Sequence, residues 1–231
     1  MRWLLTVLLA LVAGFAGAAL WDVSGLSAGD STRDYLLANP EVLPEAMNVL
    51  QQREQLARLG PLKTELETPF PGAVMGNPEG SVTLVEFSDY ACGFCRQSVP
   101  DVDALIAANP DLKVVVREYP ILRPESVDAA RMALAAAQQG RYAQFHAAMF
   151  RLGTPSAETI EAAAREAGVD LAKAQQAIGT GMFDAQLQAN AALAAQLGIN
   201  GTPAFIVGNQ TLNGAVGRQA IGEAIAQARD S

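Results

Sequence analysis

The stretch that decides the reading is Ser81-Val-Thr-Leu-Val-Glu-Phe-Ser-Asp-Tyr-Ala-Cys-Gly-Phe-Cys-Arg96. Its first eight residues, Ser81 to Ser88, form a largely apolar, β-branched run that reads as a buried strand. The segment after Cys92 reads as the start of a helix. Cys92 and Cys95 are the only two cysteines of the chain, and they fall at this junction. A C-x-x-C at a strand-to-helix handover is a redox arrangement. Two other uses of the pair fit poorly. A structural disulfide gains from closing a long loop, and this loop is nearly the shortest available. Structural zinc usually takes four ligands, whereas the chain offers two cysteines and one distant histidine, His146.

Composition bounds the rest. The chain has 231 residues, 50% apolar and 17% charged, which fits a globular core with a smaller appendage. The formal charge of -8 argues against a nucleic-acid partner, since phosphate neutralisation needs a basic surface. Met1-Arg2, the apolar run Trp3 to Leu20 and the small residues Ala16-Gly17-Ala18 together read as a secretory signal cleaved near Ala18. The alternative is an uncleaved anchor, because the run is close to spanning length. Either way the folded part is expected to be exported, to a periplasmic setting, and no later segment is apolar enough to span a membrane.

Residues 1–18 are therefore read as the signal and 19–68 as an N-terminal helical extension with its linker. Residues 69–231 are read as the main domain. Trp21 to Asp30 reads as linker. Ser31 caps a short helix, and Asn39-Pro40-Glu41 starts a second one that Gly60-Pro61 ends. Leu43, Met47 and Leu50 make an apolar stripe that two short helices cannot bury alone. The stripe packs either on the main domain or on copies of itself. Leu62 to Pro71 reads as a connector, and Ala73 to Met75 as an edge strand. A strand (82–87), a helix (about 93–109) and a strand (113–119) make a βαβ unit. An Ala-rich helical insertion spans about 124–197, with restarts at Ser156, Asp170 and Gly181. A hairpin around Gly208-Asn209 and a last helix from about Val216 to Arg229 close the chain.

Several residues are candidates for chemistry. Cys92 is the expected attacking sulfur, because a helix N-terminus favours a thiolate. Cys95, one turn further in, is the expected resolving thiol. Glu86 lies six residues before Cys92. Buried, its carboxyl would be desolvated and could exchange a proton with Cys95. Strand alternation groups it with Leu84 and Ser88 without deciding which face is covered. Pro203 opens a strand in Gly201-Thr202-Pro203, a position tolerated only at an edge or bulge, and could adopt either isomer. His146 sits among aromatics and reads as a packing residue. Met132, Met149 and Met182 are spaced like core residues. No cofactor is expected. A binding role remains as a separate class, with Cu(I) held by Cys92 and Cys95.

These residues carry a resemblance. Val85 to Arg96, Arg117-Glu-Tyr-Pro-Ile-Leu122, Phe145-His146 and Asn200-Gly-Thr-Pro-Ala-Phe205 resemble, in order, the DsbA-like branch of the thioredoxin superfamily. The resemblance implies an α/β thioredoxin fold with a helical insertion, preceded by a short helical module. Arg33 to Leu43 is similar to the extension of ScsC-like proteins, periplasmic thiol-disulfide proteins associated with copper tolerance, some of which trimerise and isomerise disulfides. It implies Cys92 as nucleophile, Cys95 as resolving thiol, Glu86 as the buried acid and Thr202-Pro203 as a cis-Pro loop. Gly93, Phe94, Thr202 and Pro203 are then the expected substrate-contacting positions. Strongly oxidising DsbA proteins carry Pro-His where this chain has Gly93-Phe94, so a weaker oxidant is expected. Gly-aromatic, and Thr before the proline, resemble the isomerase side of the superfamily.

The leading expectation is an exported oxidoreductase, isomerase- or reductase-like, acting on misoxidised or unfolded client proteins. It would be a homo-oligomer, a trimer being favoured, and a membrane reductase of DsbD or ScsB type would keep it reduced. The alternatives are a monomeric DsbA-like oxidase and the Cu(I)-binding protein.

Overall fold

The computed structural model describes residues 2–23 and 28–229. Four residues of the stretch read as linker, 24–27, lie outside the described residues. The flanks of that stretch are helical, in α1 (Arg2–Val23) and α2 (Ala28–Ala38). α3 (Val42–Leu59) follows. The Asn39 side chain donates to the Tyr35 carbonyl at 2.9 Å, closing the end of α2. Among the described residues, no helix is long and apolar enough to cross a membrane.

The chain divides into two compact units, residues 1–54 and 55–231. In the first, Tyr35, Leu37, Leu43, Met47 and Leu50 are all exposed. Tyr35, Val42, Ala46, Val49 and Leu50 line a shallow groove between α2 and α3.

The second unit is built on a five-stranded sheet in the order β1-β3-β2-β4-β5. The strands are β1 (Val74–Gly76), β2 (Val82–Ser88), β3 (Leu112–Glu118), β4 (Ala204–Val207) and β5 (Gln210–Asn213). Only β2 and β3 run parallel, joined by helix α5 (Gly93–Ala108) as a βαβ crossover. β1 and β4 pair antiparallel to this centre, and β5 closes the hairpin. The insertion holds five helices: α6 (Pro124–Gln138), α7 (Tyr142–Leu152), α8 (Ala157–Glu166), α9 (Leu171–Gly179) and α10 (Asp184–Leu197). α11 (Gly217–Arg229) ends the described chain.

Local sequence accounts for these breaks. Ser156 and Thr159 form a reciprocal capping box at the head of α8. The Asp170 carboxylate caps α9 through the Lys173 amide at 3.1 Å. The alanines of α6 are all buried, and their small side chains let neighbouring backbone come close. Gly72 shows how close: a Cβ there would lie 2.2 Å from the Ala137 carbonyl oxygen.

Both faces of the sheet are covered, as a parallel centre requires. On one face Leu84, Val114, Val116 and Phe205 pack with α5, α6, α7 and α11. On the other, Val85, Phe87, Val115 and Ile206 pack with Leu193 and Ala194 of α10, and with Leu59 and Leu66. The last two residues change the reading of the connector. Residues 63–67 are helical, as α4 (Lys63–Glu67, a single turn), and this turn belongs to the second unit. Sequence reading placed the start of the main domain at 69, whereas the compact unit begins at Gln55. The helical pattern there is too short to see without the surface it covers.

Arg117 fastens this segment. It is 3% exposed, on the face of β3 opposite to Val116. Its guanidinium donates to the backbone carbonyls of Glu65, Leu66 and Thr68, and to the Asn190 side chain. A cation at a helix C-terminus meets carbonyls that have no other partner. Arg117→Met keeps the volume and strands those carbonyls. It should lower unfolding stability by about 1.5–3 kcal/mol, read as a lower urea midpoint with an unchanged slope.

Candidate active site

Cys92 is the N-cap residue of α5, in an extended conformation, and its sulfur accepts the Cys95 amide at 3.3 Å. The thiol is itself a donor to the Thr202 carbonyl, 3.2 Å away and 110 residues on in the chain. The Thr202–Pro203 peptide bond is cis. Thus the two segments flagged from the sequence meet at one sulfur. Phe94, between the cysteines, is 64% exposed. Gly93 has open space around the position of a Cβ. Cys95 is fully buried, and burial pushes its thiol well above the usual range.

Asp89 organises the turn that carries the pair. One carboxylate oxygen accepts the Ala91 amide at 2.8 Å. The other accepts the amides of Ile121 and Leu122 at 2.8 and 2.9 Å. The Asp89 carbonyl takes the Cys92 amide at 2.9 Å. A buried carboxylate with three N–H donors is well satisfied, and it ties the Cys92 turn to the segment after β3. The exposed side chains of Ile121 and Leu122 are held beside that turn.

Glu86 lies on the core face with Leu84. It is 2% exposed, on the central strand, flanked in register by Val116 and Phe205. Desolvation raises its pKa to about 7, the Ser88 hydroxyl opposing and Asp103 adding to the rise. The sequence left its face open because β2 is buried on both sides, so alternation gave no polar face to read.

Further groups had no role assigned from the sequence. Glu118, in register with Ser88, is buried and accepts hydroxyl donors from Tyr142 at 2.7 Å and Tyr90 at 3.1 Å. Burial lifts its pKa to about 8 despite both bonds. Tyr90 OH also lies 3.3 Å from Nδ1 of His146. His146 packs among Tyr90, Tyr142 and Phe150. Desolvation lowers its pKa to about 4, which holds it neutral at physiological pH and agrees with a packing residue. The signal for Glu118 was present as an acid two residues after the apolar run Val114 to Val116 of β3.

Residues 83–226 match the family described as "DSBA-like thioredoxin domain". The chain belongs to this DsbA-like thioredoxin family. Residues 32–57 also match the "Copper resistance protein ScsC N-terminal domain". Among solved structures, a thioredoxin-like oxidoreductase from Silicibacter pomeroyi DSS-3 is 42% identical, with a TM-score of 0.65, over 68% of this chain and 92% of that one. The thiol-disulfide exchange protein alpha-DsbA2 from Wolbachia pipientis is 25% identical, with a TM-score of 0.70, over 77% and 97%. Proteus mirabilis ScsC in a transitional conformation is 25% identical, with a TM-score of 0.67, over 87% and 93%. A curated relative, the Na(+)/H(+) antiporter NhaA 1 of Mycolicibacterium gilvum, is 42% identical over 72 residues. Those residues are 30% of this chain and 12% of the antiporter, so the chain spans about an eighth of that protein's length. The DsbA-like family is one of thiol-disulfide oxidoreductases, and the fold and the recognised resemblance agree with it.

Glu86 also carries a pH signature. An acid whose folded pKa exceeds its unfolded value binds more protons when folded. Its cost to stability is absent below about pH 4.5, grows as pH rises, and is fully expressed above about 7. Glu86→Gln should therefore be more stable than the parent at pH 8, by roughly 2–3 kcal/mol. In urea unfolding across pH, the difference should vanish near pH 4.

Proposed function

We propose that the protein is an exported thiol-disulfide oxidoreductase that works from its reduced form, as an isomerase or reductase of client disulfides. The observation that carries the redox part is the placement of Cys92 at the head of α5, facing the Thr202 carbonyl, with Cys95 buried behind it. The Cys92 thiolate attacks one sulfur of a client disulfide. A Cys92–client disulfide forms and the second client sulfur leaves as a thiolate. The mixed disulfide then resolves in one of two ways. The freed client thiolate exchanges with another client disulfide, and the client thiolate released there attacks the client sulfur of the mixed disulfide, so that a new client disulfide forms and Cys92 leaves as a thiolate, which is isomerisation. Otherwise Cys95 attacks Cys92, the client leaves reduced, and the enzyme carries the disulfide. Glu86 holds the proton that Cys95 gives up. Thr202 and Pro203, with Gly93 and Phe94, contact the client segment, whose extended backbone pairs beside the cysteine.

The direction rests on two features. Gly93-Phe94 puts no imidazole beside Cys92, so the thiolate lacks one stabiliser and the disulfide is a weaker oxidant. The N-terminal extension presents Leu43, Met47 and Leu50, all exposed, at helical spacing. We take this stripe as a self-association surface that forms a trimer. Several reduced sites around one client raise the effective concentration of attacking thiol. The Met1–Leu20 segment supplies export to the periplasm, and a membrane reductase returns the Cys92–Cys95 disulfide to dithiol. The ScsC-type extension links the role to copper tolerance. The transport activity of the antiporters is not carried across, since the chain matches only 12% of the length of one and 24% of another.

The full-length chain should recover activity from scrambled ribonuclease, and Cys92→Ser should abolish this. The double substitution Met47→Glu with Leu50→Glu should yield a monomer by sedimentation and lose most of the isomerase activity, with the active-site thiols unaffected. Absence of activity on scrambled substrate, with rapid oxidation of reduced ribonuclease by both forms, would make it an oxidase instead. The paired substitution Gly93→Pro with Phe94→His should make the disulfide more oxidising. In a glutathione titration each tenfold change in the equilibrium constant is about 30 mV.

A further inference from the structure

Acids outnumber bases 24 to 16 in this chain, yet the order is reversed in the segments that border Cys92. These segments are 93–98 at the head of α5, 120–126 after β3, and 214–220 at the head of α11. Together they hold three arginines, Arg96, Arg123 and Arg218, and a single acid, Glu125. All three arginines are exposed. Elsewhere on this unit Arg131, Arg151, Arg165 and Arg229 each meet a carboxylate. Arg96 and Arg218 meet none among the described residues. Arg123 lies 3.9 Å from Glu125 with both side chains about half exposed, a pair that holds little.

Backbone hydrogen bonds bring the three segments to one end of the fold. The Arg96 amide donates to the Cys92 carbonyl at 3.1 Å, which puts Arg96 one turn into α5 on the side that carries Cys92. Helical side chains lean toward the N-terminus, here toward the Cys92 turn. Arg123 follows Leu122, whose amide shares the Asp89 carboxylate with the amide of Ala91. Arg218 stands four residues after Gly214, whose amide donates to the Pro203 carbonyl at 2.8 Å. That carbonyl is one residue on from the one that takes the Cys92 thiol. α11 also runs in the same sense as α5. A Cβ on Gly222 would meet the Leu105 side chain at 3.5 Å, and Arg229 reaches Asn109 and Asp111 past the end of α5. The head of α11, with Arg218, is therefore at the end where α5 begins. Asp89, the acid within the Cys92 turn, is buried and its carboxylate faces three amides.

We infer that Arg96, Arg123 and Arg218 form a cationic rim around Cys92 that favours client disulfides flanked by acidic side chains. The heads of α5, α6 and α11 add partial positive charge at the same end. Exposed cations gathered around a reactive group raise the local concentration of an oppositely charged segment and speed its encounter. The net charge of -8 repels such a segment at long range, and the rim reverses the sign where the sulfur lies. A segment flanked by lysine meets like charge there and is disfavoured. The chemical step is unchanged. The Cys92 thiolate attacks one client sulfur, the Cys92–client bond forms, and the second client sulfur leaves as a thiolate.

This inference rests on the reading of Cys92 as the attacking sulfur, and one experiment separates the two. Reduced full-length protein reacts at pH 7 with three matched peptides. Each has one cysteine activated as its 2-thiopyridyl disulfide and flanked by Glu, Gln or Lys. Pyridine-2-thione, released as Cys92 takes the peptide sulfur, reports the rate. The readout is the rate relative to the Gln-flanked peptide, so a general loss of reactivity in a variant cancels. In about 20 mM salt the Glu-flanked peptide should react roughly fivefold faster than the Gln-flanked one, and the Lys-flanked one more slowly. The differences should collapse in about 0.5 M salt. Combining Arg96→Gln, Arg123→Gln and Arg218→Gln should bring the ratio to about one, whereas the three Lys replacements should keep it. Equal rates for the three peptides in the parent at low salt would overturn the rim. So would a preference that survives the triple Gln variant, or one lost equally with Lys. No thione release from any peptide by the parent would overturn the reading of Cys92 itself, and the rim with it.

Discussion

A carboxyl group on the central strand of a sheet covered on both faces has no water to solvate its charge, and the chemistry proposed for this protein depends on that constraint. Glu86 sits between Val116 and Phe205 in register, so its charged form is disfavoured until near-neutral pH. The same cover seals Cys95 and holds its proton tightly. An acid and a thiol that both resist ionisation share one dry core, and the proton exchange proposed between them rests on that placement. Cys92 differs from Cys95 in position alone. It lies one turn earlier, at the helix end, where its sulfur meets the Cys95 amide and the Thr202 carbonyl.

The cost of this arrangement is spread through the fold. Glu86 and Glu118 are buried acids that destabilise the folded state as pH rises, and Glu118 keeps two tyrosine donors as partial compensation. Arg117 and Asn190 tie β3 to α10, and Arg117 also holds the single helical turn at 63–67. Asp89 then locks the Cys92 turn to the segment after β3. The paired carboxyls of Asp89 and Glu118 and the amide of Asn190 fix one geometry more firmly than apolar packing alone.

Much of this was legible. The C-x-x-C at a strand-to-helix junction located the site, and Gly and Pro breaks located the helices of the insertion, with Ser156 and Asp170 acting as caps where expected. The hairpin of β4 and β5 was legible from Gly208-Asn209 between two short β-like runs. Three things were not. The face of Glu86 was hidden because a doubly covered strand shows no alternation. The turn at 63–67 was read as connector because it is too short to have a period, and its burial depends on the sheet it covers. The role of Asp89 depends on amides some thirty residues away in sequence, which leave no pattern in a single chain.

The most direct test of the buried acid is a titration of Glu86 itself, by NMR of carboxyl-labelled glutamate in the reduced protein, assigned with Glu86→Gln. The account predicts a carboxyl resonance that titrates near pH 7 and is lost in the variant. A Glu86 resonance that titrates in the ordinary carboxylate range, below about pH 5, would contradict it.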